Sequence, residues 1–215
     1  MPRGRFITFE GGEGVGKSTQ THRLATRVRA AGFDVRLTRE PGGTPRAEAL
    51  REALLKGLAK DHGATAETLL FAAARIDHVD ALIAPALAQG AWVVCDRFID
   101  STRAYQGALG QVDAALITAL ERVSIGAVRP DLTLVLDIPA EIGVARAAAR
   151  RGSGVRDRFE AETLAYHRAL RTAFLAIAAA EPERCVVIDA RDDANAVEAR
   201  IWAAVETRLG LAAAP

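Results

Sequence analysis

Cysteine is scarce in this chain: Cys95 and Cys185 are the two thiols among 215 residues. Each sits in an apolar, strand-like run, so the expectation is buried thiols in a reducing compartment and not a disulfide framework. No Cys/His cluster has the spacing of a zinc site. Long apolar runs are missing as well, and none approaches the roughly 20 residues that cross a bilayer. The N-terminus enters a strand-like stretch within a few residues, leaving no room for a signal peptide, so a cytoplasmic location is expected. Neither sign of charge dominates, with 28 Lys+Arg against 27 Asp+Glu. Such a balance offers no global attraction to nucleic acid or membrane, and any anion site has to be local. No Asn-Lys-x-Asp run of the kind that reads guanine is present, which weighs against a GTPase switch.

What is present fits an ordinary globular domain, with 50% hydrophobic and 26% charged residues. Its strongest signal is Gly11-Gly12-Glu13-Gly14-Val15-Gly16-Lys17-Ser18, placed between the apolar run Phe6–Phe9 and a helical pattern bearing Leu24 and Val28. The spacing is that of a P-loop. Glycines let the backbone approach a ligand, and their N–H groups with the start of a helix form an electropositive cup for phosphate. Lys17 brings a full charge to the β- and γ-phosphates, and Ser18 an oxygen to Mg²⁺.

Short apolar runs alternate with helical patterns along the chain. Strands are expected at Arg5–Phe9, Val35–Thr38, Ala91–Cys95, Leu132–Leu136 and Arg184–Ile188. Helices are expected at Lys17–Ala31, Ala47–Leu55, Thr65–Gln89, Val112–Ile125, Ala140–Ala149, Ala161–Ala179 and Ala194–Leu209, with an alanine-rich tail at Ala212–Ala214 that frays. Such alternation implies a mainly parallel sheet covered on both faces, with ligands gathered beyond the carboxyl ends of the strands.

Candidate functional residues stand at those ends. Arg39 follows the second strand in a turn through Glu40-Pro41-Gly42-Gly43-Thr44, either as a turn residue or as a phosphate contact. Asp96 and Arg97 follow the third strand. They read as a magnesium acid beside a phosphoryl clamp, or as a structural salt bridge. Asp137 offers a second carboxylate, for which a turn or helix-capping role is expected because Pro139 and a helix follow. Phe71 and Arg75 share a helix face, a spacing that suits base stacking and carbonyl recognition but suits core-plus-surface equally. Arg146, Arg150, Arg151, Arg156 and Arg158 crowd a glycine-containing segment that reads as a lid over phosphates, or as a nucleic-acid patch, against which stand the lack of interleaved aromatics and the balanced charge.

Taken together, these separated motifs resemble bacterial thymidylate kinase over nearly the whole chain. The resemblance is carried by Phe9-Glu10-Gly11-Gly12-Glu13-Gly14-Val15-Gly16-Lys17-Ser18-Thr19, Thr38-Arg39-Glu40-Pro41-Gly42-Gly43-Thr44, Phe71-Ala72-Ala73-Ala74-Arg75, Asp96-Arg97-Phe98, Ser101-Thr102-Arg103-Ala104-Tyr105-Gln106-Gly107 and Arg129-Pro130-Asp131-Leu132-Thr133-Leu134-Val135-Leu136-Asp137. It implies a three-layer α/β P-loop NTPase fold: a five-stranded, mainly parallel sheet flanked by helices, one domain over 1–215, and a short lid near 150–159. The implied reaction transfers the γ-phosphoryl group of ATP to dTMP with Mg²⁺, on the route to dTTP, and the implied assembly is a homodimer through the helices near Phe71 and Leu116.

The resemblance also distributes roles. Gly11 through Thr19, with Lys17 at its centre, would hold ATP, and Arg191 would lie near adenine. Ser18 and Asp96 would support magnesium. Glu13 would meet the acceptor's 3′-hydroxyl, and Arg39 and Arg97 its 5′-phosphate. Phe71 would stack on thymine, Arg75 would donate to O4, Thr102 would read the N3 edge, and Tyr105 would crowd the 2′ carbon. Arg51, Ser101 and Gln106 would complete the acceptor site. Because the interior of the P-loop has no basic residue, the resemblance is to the lid-arginine type, with Arg156 or Arg158 supplying the catalytic cation.

Overall fold

A computed structural model describes residues 3–151, 159 and 162–210 of the chain. At its centre lie β1 (Phe6–Glu10), β2 (Val35–Arg39), β3 (Trp92–Asp96), β4 (Leu132–Asp137) and β5 (Cys185–Asp189). They pair in the order β2-β3-β1-β4-β5, and every pairing is parallel. Buried strands of this kind read as continuous apolar runs because helices cover both faces, and all of β1 is buried.

Strand alternation decides which helix each residue meets. Ile7, Phe9, Val94 and Leu134 pack with Leu24 and Val28 of α1 (Lys17–Ala30) and with Val197 and Ile201 of α9 (Ala194–Leu209). Phe6, Val93 and Cys95 face the other way. They meet Val79, Ile83 and Leu87 on the rod that begins as α3 (Gly63–His78) and ends as α4 (Ala84–Ala88), together with Phe98 and Ile125. Both cysteine thiols are buried, and burial raises them both, Cys185 to about 11.

The strands run one residue beyond the sequence expectation, and each added residue is charged: Glu10, Arg39, Asp96, Asp137 and Asp189. Hydropathy ends where the apolar run ends, whereas a parallel ladder is made by the backbone and continues under a charged side chain at the sheet's edge. The expected helix Thr65–Gln89 is interrupted by a π-helical turn, Val79–Ile83. Pro85, in α4, has no N–H to donate and its ring would clash with the carbonyl four residues back, so the helix changes register just ahead of it. Side-chain caps set the starts of α2 (Pro45–Leu55), α6 (Ala114–Ile125) and α8 (Leu164–Ala180), through Thr44, Asp113 and Thr163. Between β3 and α6 the chain forms the short α5 (Ile99–Thr102) and a second π-helical turn, Arg103–Leu109, neither of them expected from the sequence.

Candidate active site

The carboxyl ends of β1, β2 and β3 open into one cavity of about 300 Å³, lined from the P-loop to Tyr105. Gly11, Gly14 and Gly16 all take left-handed φ, at 131°, 67° and 97°. Gly14 meets a second requirement as well, since a Cβ there would lie 2.0 Å from the Gly143 carbonyl of α7 (Ala140–Arg151). The reverse also holds: a Cβ on Gly143 would lie 2.4 Å from the Glu13 carbonyl, so loop and helix touch backbone to backbone. Gly16 caps α1 without a side-chain bond, which leaves the first N–H groups of the helix directed into the loop.

Lys17 is buried, and its ammonium donates to the carbonyls of Gly11 at 3.0 Å and Gly12 at 2.6 Å. Burial, and next Arg97, lower it to about 8 against the opposing pull of Glu13, Asp96 and Glu10. The Ser18 hydroxyl donates to Asp96 Oδ2 at 2.7 Å. Two hard oxygens side by side at the mouth of a P-loop suit a magnesium ion.

Asp96 and Arg97 part company at the end of β3, and the salt bridge between them weighed from the sequence is absent among the described residues. Arg97 has φ 71°. Its guanidinium donates to Glu13 Oε1 at 2.6 Å, to the Ser101 hydroxyl at 3.2 Å and to the Gly11 carbonyl at 3.3 Å. Tyr105 donates to the same Glu13 oxygen at 3.1 Å, and its ring lies 5.2 Å from the Arg97 guanidinium carbon. Burial opposes the Glu13 charge, yet Arg97 and then Lys17 hold its carboxyl down to about 2.

On the far wall, Arg75 is buried and donates through Nε to Glu40 Oε2 at 2.7 Å and through a terminal nitrogen to the Thr102 hydroxyl at 3.0 Å. Glu40 accepts no longer contact than 3.1 Å from this cluster, facing His78 Nδ1 at that distance, and His78 Nε2 lies 2.7 Å from the Thr38 hydroxyl. Burial would raise Glu40, but Arg75 and His78 hold it low. The Glu40–Pro41 peptide is cis. Phe71 also lines the cavity, and Gln106 donates to Glu67 at 3.2 Å. Arg39 is bound by both Glu48 oxygens at 3.1 Å, while Arg51 donates to the Pro41 carbonyl at 2.7 Å.

Most candidates from the sequence are thus brought to one cavity: Glu13, Lys17, Ser18, Arg39, Arg51, Phe71, Arg75, Asp96, Arg97, Ser101, Thr102, Tyr105 and Gln106 all line it. Arg191 stands apart, past β5, paired with Asp189 at 2.5 Å. Asp137, for which the sequence predicts a turn or capping role, accepts from Arg171 at both of its oxygens, at 2.6 and 2.8 Å. Arg156 and Arg158 lie outside the described residues, as do the tail residues Ala212–Ala214. Arg150, one of the arginines grouped at the lid, also lines the cavity. Sequence reasoning passed over Glu40, His78 and Gly143 as site residues, and also Phe159, which lines the cavity. A glycine one turn into a helix and a carboxylate followed by proline were the available signals.

A family model described as thymidylate kinase matches residues 9–201. The protein named thymidylate kinase from Nitrobacter winogradskyi is 63% identical over 206 residues, which is 96% of this chain and 90% of that protein. Its namesake from Bradyrhizobium diazoefficiens is 61% identical over 207 residues, covering 96% and 91%. The crystal structure of thymidylate kinase from Ehrlichia chaffeensis superposes with a TM-score of 0.77 at 34% identity, covering 95% of this chain and all of that one.

Proposed function

Since the chain belongs to the thymidylate kinase family, we propose how its residues carry out that family's reaction. The enzyme moves the γ-phosphoryl group of ATP onto dTMP, giving ADP and dTDP. The observation that carries the residue-level reading is the Arg97–Glu13 pair, at 2.6 Å, set between Lys17 and Tyr105 in a single cavity.

ATP sits against the N–H groups of Gly11 through Ser18, with Thr19 following on α1 and Arg191 toward adenine. Its phosphates compete with two carbonyls for the Lys17 ammonium. Ser18 and Asp96 would hold Mg²⁺, which would supply neutralising charge to the phosphates. On the acceptor side, Arg97 and Arg39 grip the dTMP phosphate, and Glu13 receives the 3′-hydroxyl. Tyr105 fills the space beside the 2′ carbon, and Phe71 stacks on thymine. Arg75 presents a donor to O4, and Thr102 reads N3. Arg51, Ser101 and Gln106 complete the wall.

Phosphoryl transfer asks the protein mainly for alignment and charge neutralisation. Glu40 supports both needs at a distance, by fixing the Arg75 fork so that its donors face the base. Cytosine would place an amino group against that donor, an unmade bond costing on the order of 1–3 kcal/mol. The P-loop has no cation besides Lys17, and Arg156 or Arg158 of the lid at 150–159 supplies the one that completes the site. The chain works as one domain over 1–215, as a cytoplasmic homodimer. No helix among the described residues is long and apolar enough to cross a membrane.

A coupled assay with dTMP, dUMP, dCMP and AMP as acceptors tests the reading. Turnover is expected with dTMP well above dCMP and AMP. Equal turnover with dCMP would remove Arg75 from base recognition.

A further inference from the structure

Glu10 ends β1 and is fully buried, carrying a carboxylate into a strand whose other residues are apolar or threonine. Desolvation disfavours a charge there. Burial, and next the facing Asp100 carboxylate, raise it to about 7 against Ser101, Arg97 and the Phe98 N–H. Arg97 and Asp100 face it from the end of β3 and from α5, Lys17 from α1, and the Cys95 thiol from within β3.

Its oxygens are nevertheless fully used, and by one segment. The Phe98 N–H donates to Oε1 at 2.8 Å and the Ser101 N–H at 3.1 Å, while the Ser101 hydroxyl donates to Oε2 at 2.6 Å. All three donors come directly after Arg97. The same hydroxyl accepts from Arg97 at 3.2 Å. A hydroxyl has one proton and two lone pairs. With its proton directed to Glu10, it can only accept from Arg97.

We propose that Glu10 is a positioning residue for phosphoryl transfer: its carboxylate pins the backbone after β3 and orients the Ser101 hydroxyl, and these two together aim the Arg97 guanidinium. This rests on the reading of Arg97 as the ligand of the acceptor phosphate. The left-handed backbone of Arg97 fits the same account, because such a conformation persists where neighbouring bonds impose it.

Glu10→Gln tests the proposal in the intact enzyme. The amide carbonyl can keep both backbone bonds, but its NH₂ donates to Ser101 and reverses the direction of the chain. The KM for dTMP is expected to rise about tenfold, with the KM for ATP within about twofold of wild type. Wild type should also lose dTMP affinity as pH falls through about 7. The variant should keep only the part owed to the second ionisation of dTMP's own phosphate, near about 6. Ser101→Ala removes the side-chain relay and leaves the backbone bonds. It is expected to raise the dTMP KM several-fold, and it stands as the test if Glu10→Gln does not fold. Arg97→Lys is measured alongside. If Arg97→Lys impairs dTMP use while Glu10→Gln and Ser101→Ala leave it unchanged, the positioning role is overturned. If Arg97→Lys is itself silent, the reading of Arg97 fails first.

Discussion

A non-glycine residue with left-handed φ carries a penalty of roughly 1–2 kcal/mol, and Arg97 bears it at the junction of strand and site. Removing its side chain tests what the strain maintains. Arg97→Ala is expected to lower kcat/KM for dTMP by on the order of 10²–10³, while binding of an ATP analogue changes little. Steady-state kinetics and a titration of the analogue separate the two. In the proposed site Tyr105 has two functions that substitution can divide. Tyr105→Phe loses the bond to Glu13 but keeps the ring, so the deoxyribose preference is expected to survive. Tyr105→Ala should relax it, measured as the ratio of turnover with dTMP to that with its ribose counterpart. Glu10 has a stability signature of its own. Its carboxyl is raised from 4.5 to about 7, so its contribution is complete below 4.5 and is lost as pH rises through 7. Glu10→Gln has no such loss. Its Tm relative to wild type should therefore climb between about pH 5 and 8, by on the order of 5–10 °C.

At the scale of the element, the contact between the P-loop and α7 allows a test in which two effects have opposite signs. Alanine is the better helix former by about 1 kcal/mol, so Gly143→Ala would stabilise an isolated helix. Here its Cβ would meet the Glu13 carbonyl at 2.4 Å. The expected outcome is a lower Tm and about tenfold weaker use of ATP, read by calorimetry and kinetics. The sequence signals this role only by a glycine one turn into a helix, because what Gly143 meets is a loop distant from it in the chain. Local patterns served the strands well: apolar runs with turns between them located each one, and the glycine spacing located the loop. They failed at α5 and the two π-helical turns, whose residues are arranged by what they touch and not by periodicity. The same limit hid Glu40. A carboxylate before proline reads as a turn, and only the fold brings Arg75 and His78 against it.

For the whole molecule, assembly and topology matter most. Leu69 and Ile76 stand seven apart on α3 and remain exposed, and Val123 is exposed on α6, which packs beside α3. If the homodimer forms through this face, Leu69→Glu should shift sedimentation velocity from dimer toward monomer; an unchanged coefficient would place the interface elsewhere. The strand register has a different consequence. Phe9 pairs with Asp96, Asp96 with Arg39, and Glu10 with Val135, so Arg39, Asp96 and Glu10 stand on adjoining rungs at the carboxyl end of the sheet. Gaining or losing one codon inside β1 or β3 would turn each following side chain to the opposite face and move the P-loop away from Asp96. The same change in the turn between α8 and β5 lies far from those rungs. Length variation in this chain is therefore tolerable at one border of the sheet and close to forbidden at its centre.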